Sequence, residues 1–182
     1  MRKILSKNYK NLYTLNEIKL LNDLIEKNKE SKSKDLPAES ALKTSSIEVV
    51  AYSHVAQLMG KFINFCYTTN EQEFGFDLFP ITSNKALNYN IYETGNEYSW
   101  HIDATPLNPV RDIKLTAIIN CSDQSYSGGE LVLFRGKKFY DPEFETPGSV
   151  IIFPSYINHR VNKISSGVRK TLSMWMSGPK FR

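Results

Sequence analysis

A histidine and an aspartate two positions apart, His101 and Asp103, are the residues of this sequence best suited to chemistry. In an extended segment, side chains two positions apart project to the same side of the backbone. The pair therefore offers one imidazole nitrogen and one carboxylate oxygen, two thirds of the facial ligand set that holds non-haem Fe(II). A His-x-Asp pair is common by chance, so the interpretation depends on a third ligand from elsewhere in the chain.

The sequence has three histidines, and His159 is the best candidate for the third ligand. His54 falls beside the apolar stripe of a predicted helix, where a histidine usually serves packing. His159 follows an apolar run that ends in Pro154 and opens the short run HRV. Two histidines and one aspartate complete a facial triad and leave open metal positions, as an oxygenase needs. The same three ligands also suit a catalytic zinc site, which leaves a zinc hydrolase as an alternative.

A basic residue follows the third candidate ligand, in the run GVRKTLS. On an alternating strand Arg169, Thr171 and Ser173 share one face. A buried arginine is costly without an anion, and a carboxylate bound through two hydrogen bonds is its natural partner. The Thr171 hydroxyl can donate to the same carboxylate. If Arg169 instead lies on an exposed edge, it forms only a surface ion pair.

Two helices are expected before these residues. Thr14 and Glu17 form a capping box ahead of apolar residues at helical spacing, which predicts a helix over 15–29. Ser45 and Glu48 form a second capping box, which predicts a second helix that starts there and runs to about Tyr67. The segment 38–46 between them is ambiguous and can contain a strand.

Short aromatic and β-branched runs, separated by glycine, proline and asparagine, follow residue 73. They predict strands over 74–78, 85–92, 98–101, 114–121, 130–134, 138–140, 149–153, 159–161 and 170–177. Two helices followed by many short strands indicate an α+β chain with a sandwich or jelly-roll core. In a jelly roll, strands distant in sequence meet, so His159 can approach the His101–Asp103 pair.

The composition limits the function classes. With 182 residues and 41% hydrophobic residues, one globular domain over 1–182 is expected. The basic start of the chain lacks the apolar segment of a signal peptide, and no apolar run is long enough for a membrane span. The two cysteines suit a reducing compartment. A cytoplasmic location is therefore expected. The net charge of +4 has no concentrated basic patch, so no nucleic-acid or membrane partner is expected. Oligomeric state is not readable from the sequence.

Three stretches carry a family resemblance: YETGNEYSWHID over 92–103, YSGGEL over 126–131, and HRV at 159–161 with Arg169 and Trp175 after it. In this order and over about half of the chain, they resemble the Fe(II)/2-oxoglutarate-dependent dioxygenases, in the branch that includes prolyl 4-hydroxylases. The resemblance implies a double-stranded β-helix (jelly-roll) core over 74–182, with a mainly helical support over 1–73.

The resemblance also implies roles for individual residues. His101, Asp103 and His159 match the iron ligands, Arg169 matches the partner of the distal carboxylate of 2-oxoglutarate, and Thr171 matches its hydroxyl neighbour. Three further residues are expected in the pocket: Tyr92 beside the co-substrate, Tyr98 beside the substrate, and Trp100 as a pocket wall, although core packing is an alternative for all three. Asn120 stands where many prolyl hydroxylases have a tyrosine, and its amide can hydrogen-bond 2-oxoglutarate.

The implied reaction is hydroxylation of an unactivated C–H bond, coupled to oxidative decarboxylation of 2-oxoglutarate with Fe(II) and O2. Family members that halogenate replace the metal-binding carboxylate by a small residue, whereas this chain keeps Asp103. By analogy the substrate is a peptidyl-proline or another protein side chain, with a free amino acid or other small molecule as the alternative. A non-catalytic, cupin-like metal-binding module is a further alternative, but such a module has no evident use for Arg169.

Overall fold

The computed structural model describes residues 4–31, 43–104 and 111–180. Helix α1 (Leu15–Asn28) starts at the predicted capping box, where the Thr14 hydroxyl accepts from the Glu17 amide and a Glu17 carboxylate oxygen accepts from the Thr14 amide. These bonds satisfy two amide groups that have no partner within the helix. The first predicted helix is confirmed and ends one residue earlier than expected.

The start of the second helix was predicted wrongly. Helix α2 covers Tyr52–Thr69, and strand β3 (Ser46–Ala51) occupies the place of the expected capping box. Strand β3 pairs along its whole length with β4 (Ala86–Tyr92) and also with β2 (Glu30–Ser31). The β-branched residues Ile47, Val49 and Val50 favour this extended pairing. The strand pairing outweighs the helical spacing of apolar residues that led to the prediction of a helix here.

The predicted strand over 74–78 is also wrong. Phe74 closes a π-helix, Asn70–Phe74, that continues α2, and Gly75 ends it with φ of 69°. The Asn70 side-chain amide then bonds both to the Phe76 carbonyl oxygen and to the Phe76 amide, at 2.8 and 3.0 Å. The backbone amide and carbonyl oxygen of Phe76 are thus bonded to a side chain and not to a neighbouring strand. The other predicted strands are present with bounds within three residues, whereas the ambiguous segment 38–46 lies mostly outside the described residues.

Two antiparallel sheets form the body of the molecule. The larger sheet has the order β1-β10-β6-β13-β4-β3-β2, with β1 at Lys7–Tyr9, β6 at Arg111–Asn120, β10 at Val150–Pro154 and β13 at Arg169–Pro179. The smaller sheet has the order β5-β11-β8-β9, with β5 at Tyr98–His101, β8 at Leu131–Phe134, β9 at Lys138–Tyr140 and β11 at Asn158–Val161. A ribbon pairs β12 (Ile164–Ser166) with β7 (Ser127–Gly128), and a 3-10 helix covers Pro142–Glu145.

Each face of the larger sheet has its own apolar cluster. Ile18, Leu21, Met59 and Phe62 of the helices belong to the first cluster together with Leu172, Met174 and Met176 of β13. The second cluster lies between the two sheets and contains Ile118, Leu133 and Phe153. Two antiparallel sheets packed around such a core, with helices on one outer face, confirm the predicted α+β chain with a jelly-roll core.

The first 73 residues, expected to be mainly a helical support, also supply strands β1 to β3 to the larger sheet. Strand β13 positions the candidate site. Its even-numbered residues Leu172, Met174 and Met176 pack toward the helices, and its odd-numbered residues Arg169, Thr171, Ser173 and Trp175 line a cavity between the sheets. No helix in the described part of the chain is long and apolar enough to cross a membrane.

Candidate active site

Two strands of the smaller sheet bring the candidate metal ligands together. His101 at the end of β5 pairs directly with His159 on β11. Asp103 follows β5 by two residues, and its backbone amide donates to the Ser155 carbonyl oxygen at 2.9 Å. The amide of Ala104 donates to the same oxygen at 3.1 Å. The turn that carries Asp103 is therefore fixed against the end of β10.

One ligand atom from each of His101, Asp103 and His159 lies within 4.8 Å of the others. The His101 Nε2 atom is 3.8 Å from Asp103 Oδ1, and the His159 Nε2 atom is 3.5 Å from Asp103 Oδ2. Two imidazole nitrogens and one carboxylate oxygen converging on one point match a facial metal site for Fe(II), and they also suit zinc.

Hydrogen bonds to the far side of each ligand orient it. The Nδ1 atom of His101 lies 2.8 Å from the Ser99 carbonyl oxygen, and that of His159 lies 2.9 Å from the Ile157 carbonyl oxygen. A carbonyl oxygen only accepts, so each Nδ1 carries the proton and each Nε2 is left as an electron-pair donor. The Thr116 hydroxyl donates to Asp103 Oδ2 at 2.6 Å. All three side chains are thus held for coordination by neighbouring groups.

The electrostatics of the site keep His101 neutral. Burial, followed by the charge of neighbouring His159, lowers the pKa of His101 to about 4. A histidine must be neutral to coordinate a metal. At neutral pH His101 is already neutral, so it can bind a metal ion without first releasing a proton. The phenol ring of Tyr98 stacks on the His101 imidazole, with ring centroids 3.6 Å apart and planes inclined by 14°, which fixes the plane of the ring.

Arg169 lines the same cavity and is only 1% exposed. Its Nε atom is 3.8 Å from Glu145 Oε2, and neither Nε nor Nη2 has a hydrogen-bond partner among the described residues. Burial acts to lower the pKa of Arg169, but Glu145, Tyr126 and Tyr92 together outweigh it, and the pKa is raised. A buried, charged guanidinium with unsatisfied donors fits a carboxylate ligand, because a buried charge without hydrogen bonds is costly.

The cavity connects Arg169 with the three candidate metal ligands. Thr171 follows Arg169 along β13, and Tyr92 lies opposite Arg169 in the β4 ladder. The other cavity walls are formed by Lys43, Asn90, Tyr98, Thr116, Ile118, Leu131, Val161, Ser173 and Trp175. Gly129 gives Arg169 room, since a Cβ atom there would lie 2.9 Å from Arg169 Cδ. Of the residues expected from the sequence, Tyr92, Tyr98, Arg169 and Thr171 line the cavity with the candidate metal ligands.

Asn120 is not positioned as expected. Its Nδ2 atom donates to the Tyr126 hydroxyl and to the Phe144 carbonyl oxygen, both at 3.1 Å, and its Oδ1 atom accepts from the Ser122 amide. The amide is fully buried and already bonded on both sides, and Asn120 is not among the described residues that line the cavity. Contrary to expectation, Asn120 is therefore not positioned to hydrogen-bond 2-oxoglutarate in this cavity.

Trp100 is also absent from the described cavity wall. Its indole ring packs edge-on against Phe134, with centroids 6.1 Å apart, and the Arg160 guanidinium lies 5.1 Å from the ring centroid. The pairing of β5 with β11 shifts register between Tyr98 and His101, so both of these side chains face the cavity, whereas Trp100 beside His101 points away from it. Trp100 therefore packs on the outer face of the smaller sheet, and its expected role as a pocket wall is corrected.

Sequence reasoning missed Lys43, Asn90 and Thr116. The alternation of β4 contained a signal for Asn90, which lies two positions before Tyr92 on the same face. Thr116 lies four residues before Asn120 on the same strand, β6, and on the same face, so the alternation of that strand also contained a signal for Thr116. Lys43 had no local signal, because only the fold brings its ammonium group within 2.7 Å of Asn90 Oδ1.

Comparison with known proteins agrees with this geometry. Residues 87–177 match the family model of the 2OG-Fe(II) oxygenase superfamily. The matched residues run from β4 to β13, so they include all three candidate metal ligands and Arg169.

Individual relatives share only about half of the chain with this protein. A PKHD-type hydroxylase of Rippkaea orientalis is 34% identical over 97 residues, which cover 50% of this chain and 42% of the relative. The chain thus spans less than half the length of that curated relative. Another PKHD-type hydroxylase, of Aliarcobacter butzleri, is 34% identical over 95 residues, which cover 48% of this chain and 41% of the relative.

A solved structure shares the fold over nearly the whole chain. The crystal structure of a Pseudomonas putida prolyl-4-hydroxylase covers 96% of this chain and 93% of its own, with a TM-score of 0.72 and 15% identity. At that identity the likeness concerns the fold alone, whereas the match of residues 87–177 concerns the sequence. The chain belongs to the 2OG-Fe(II) oxygenase superfamily.

Proposed function

We propose that this protein is an Fe(II)- and 2-oxoglutarate-dependent hydroxylase, formed as a single domain of this chain, that acts on a peptidyl-proline or another protein side chain. The overall reaction converts the substrate, O2 and 2-oxoglutarate into hydroxylated substrate, succinate and CO2. The observation that carries the proposal is the presence, in one cavity, of the His101–Asp103–His159 cluster and the buried Arg169.

The chain has a suitable set of side chains for the metal. His101, Asp103 and His159 would hold Fe(II), with the Thr116 hydroxyl fixing the Asp103 carboxylate. Bound Fe(II) and 2-oxoglutarate supply, with O2, the oxidising power that protein side chains lack. The contribution of the chain is to orient its three ligand atoms before the metal arrives, so that binding requires little rearrangement.

Arg169 and Thr171 suit the distal carboxylate of 2-oxoglutarate. The Arg169 Nη2 donor has no partner in the described part of the chain, and the Thr171 hydroxyl lies on the same strand face. A zinc hydrolase built on the same ligand set does not require such a guanidinium. The buried arginine in the cavity wall therefore favours the oxygenase over the hydrolase.

Apolar walls would keep water away from the reacting groups. Ile118, Leu131 and Val161 line the cavity together with the metal cluster and Arg169, and all three are buried. Exclusion of water strengthens the interaction of Arg169 with a carboxylate and limits side reactions.

The substrate class rests on the relatives. The curated relatives are named as PKHD-type hydroxylases, and one structure that shares the fold is named as a prolyl-4-hydroxylase. We extend a peptide substrate to this chain as part of the proposal.

Cys66 and Cys121 are buried and form no disulfide, which supports a reducing compartment such as the cytoplasm.

The test has two parts. The protein with added Fe(II) should convert 2-oxoglutarate to succinate slowly without any substrate, and this turnover should require O2. Proline-containing peptides and free amino acids should then be screened by mass spectrometry for a product that has gained one oxygen atom. Absence of succinate formation under all of these conditions would refute the enzymatic proposal, whereas an oxygenated amino acid without any oxygenated peptide would refute the peptide substrate.

A further inference from the structure

We propose that Asn90 is a positioning residue for the co-substrate: its side-chain amide turns the hydroxyl groups of Thr171 and Ser173 so that both O–H bonds are available to bound 2-oxoglutarate. The inference rests on the proposed hydroxylase function and adds a residue that sets how strongly the co-substrate binds. Asn90 acts through the two hydroxyl groups and needs no contact of its own with the co-substrate.

The orientation of the Asn90 amide is fixed by a neighbouring lysine. The Lys43 Nζ atom lies 2.7 Å from Asn90 Oδ1. An ammonium group only donates hydrogen bonds, so the amide atom that faces it is the oxygen and not the nitrogen. The Nδ2 atom of Asn90 is therefore directed toward β13, where Thr171 lies opposite Asn90 in the β4–β13 ladder.

Three oxygen atoms lie within hydrogen-bond reach of Asn90 Nδ2. The Ser173 hydroxyl lies at 3.1 Å, the Asn88 carbonyl oxygen at 3.2 Å and the Thr171 hydroxyl at 3.4 Å, and they share the two N–H bonds of the amide. An amide nitrogen donates and does not accept, so each hydroxyl oxygen is an acceptor toward Asn90. A hydroxyl that accepts from one neighbour keeps its own O–H bond for a different acceptor. Asn90 thus makes both hydroxyls donors toward other groups.

These two O–H bonds suit a ligand in the cavity. Thr171 and Ser173 are 3% and 8% exposed, and neither hydroxyl donates to another group in the part of the chain that the structure describes. Both residues line the cavity that also contains Arg169 and the metal cluster. Buried polar groups are almost always hydrogen-bonded. The oxygen atoms of 2-oxoglutarate, which it carries at both ends, are suitable acceptors.

The donors form a row along one face of β13. Arg169, Thr171 and Ser173 follow one another at steps of two residues, roughly 7 Å each. The row runs toward the part of β13 that pairs with Thr116, whose hydroxyl is bonded to Asp103. The donors therefore extend from the guanidinium toward the metal cluster. A dicarboxylate that binds both the metal and Arg169 has to lie along this row.

Two other roles of Asn90 make different predictions for its replacement by aspartate. An aspartate has only acceptor oxygens, so both hydroxyls would donate to it and their O–H bonds would turn away from the ligand. If the added charge simply repels 2-oxoglutarate, or if Asn90 only holds β4 against β13, the hydroxyls keep their contribution to binding. The contribution of Thr171 on the Asn90→Asp background therefore distinguishes the positioning role from the other two.

The experiment is a double-mutant cycle on the binding of 2-oxoglutarate to the full chain loaded with Fe(II) without O2, measured by isothermal titration calorimetry. Thr171→Val and Ser173→Ala should each weaken binding by the parent protein roughly 10-fold, as expected for a hydrogen bond to a charged group. Asn90→Asp should weaken binding at least as much. On the Asn90→Asp background, Thr171→Val should cause a further loss of no more than about 2-fold, because the hydroxyl no longer faces the ligand.

The matched control is Asn84→Asp, an exposed position just before β4, which should bind 2-oxoglutarate like the parent protein. The inference is overturned if Asn90→Asp binds like the parent, or if Thr171→Val costs the same on the parent and on the Asn90→Asp background. It is also overturned if neither hydroxyl variant weakens binding, a result that does not depend on the folding of Asn90→Asp. Failure of the parent protein to bind 2-oxoglutarate would refute the proposed function itself, and it is measured first.

Discussion

His101 and His159 lie directly opposite each other in the ladder between β5 and β11, with their imidazole centroids 4.1 Å apart. Directly opposed side chains of an antiparallel pair are the closest neighbours that a sheet offers. The ladder therefore presets the separation of the two nitrogens, and Asp103 completes the ligand set from the adjoining turn. The site depends on backbone pairing as much as on side-chain identity.

The first prediction concerns metal content. His101→Ala and His159→Ala each remove one of three protein ligands, so each variant should lose bound iron after gel filtration, measured by a colorimetric iron assay. His54→Ala is the matched control, since His54 is exposed on α2 and distant in sequence from the cluster. Retention of iron by either cluster variant would remove that histidine from the metal site.

The second prediction concerns Thr116, whose hydroxyl donates to Asp103 Oδ2 at 2.6 Å. Thr116→Val keeps the shape of the side chain but loses this bond, and loss of such an outer contact typically lowers metal affinity about 10- to 100-fold. Thr116→Ser keeps the hydroxyl and should bind metal nearly as the parent does. Competition with a chelator measures both affinities, and equal affinities for the valine and serine variants would contradict the orienting role.

The third prediction concerns Glu145, which lies 3.8 Å from Arg169 Nε and accepts a hydrogen bond from the Tyr126 hydroxyl at 2.7 Å. Glu145→Gln leaves the buried guanidinium without its counter-charge, so the protein without 2-oxoglutarate should unfold at a lower temperature. A dicarboxylate co-substrate restores an anion next to Arg169. The rise in melting temperature produced by 2-oxoglutarate should therefore be larger in Glu145→Gln than in the parent protein.

The matched control for this comparison is Glu143→Gln, on the same 3-10 helix but at an exposed position. Glu143→Gln should show the rise of the parent protein. A smaller rise in Glu145→Gln than in the parent would mean that Glu145 does not neutralise Arg169 before the co-substrate binds.

The fourth prediction concerns the pH dependence of the metal-free protein. Burial lowers the pKa of His101 from its usual 6.5 to about 4 in the folded state. Between these values the unfolded chain binds more protons than the folded one, so this contribution to stability is present above pH 6.5 and is lost as the pH falls toward 4. The full difference is roughly 3 kcal/mol.

Urea unfolding of the metal-free protein at pH 6.5 and pH 5 measures this contribution. The free energy of unfolding should fall with pH in the parent protein and fall less in His101→Gln, which cannot take up this proton. Equal decreases in the two proteins would show that the pKa of His101 is not lowered in the folded state.

The sequence predicted the centre of the site better than its surroundings. His101, Asp103 and His159 could be found because metal coordination restricts the residue types, and Arg169 because an arginine that follows such a ligand set and shares a strand face with Thr171 suits a carboxylate. Asn120 was misplaced because alternation defines a face but not the depth at which a side chain lies. Asn120 shares a face with Thr116 and Ile118, yet it lies beyond the cavity and bonds to Tyr126 and Phe144.

The remaining differences arise from long-range pairing. Residues 46–51 carry an apolar spacing that suits a helix, and only their pairing with β4 makes them a strand. Lys43 could not be assigned to the site because its contacts with Asn90 and Tyr98 join segments about 50 residues apart, which local sequence patterns do not report. Trp100 was misassigned because its nearness to His101 in sequence places it on the opposite face of β5.

Anaerobic titration of 2-oxoglutarate into the Fe(II)-loaded protein, beside Arg169→Ala and Arg135→Ala, tests the central claim most directly. Arg135 is exposed in the connection between β8 and β9 and serves as the control. The parent protein and Arg135→Ala should bind 2-oxoglutarate alike, and Arg169→Ala should bind it at least about 30-fold more weakly, since loss of one partner of a buried charge pair costs about 2–5 kcal/mol. Absence of binding by the parent protein, or equal binding by Arg169→Ala, would contradict the claim that this cavity holds 2-oxoglutarate between the metal cluster and Arg169.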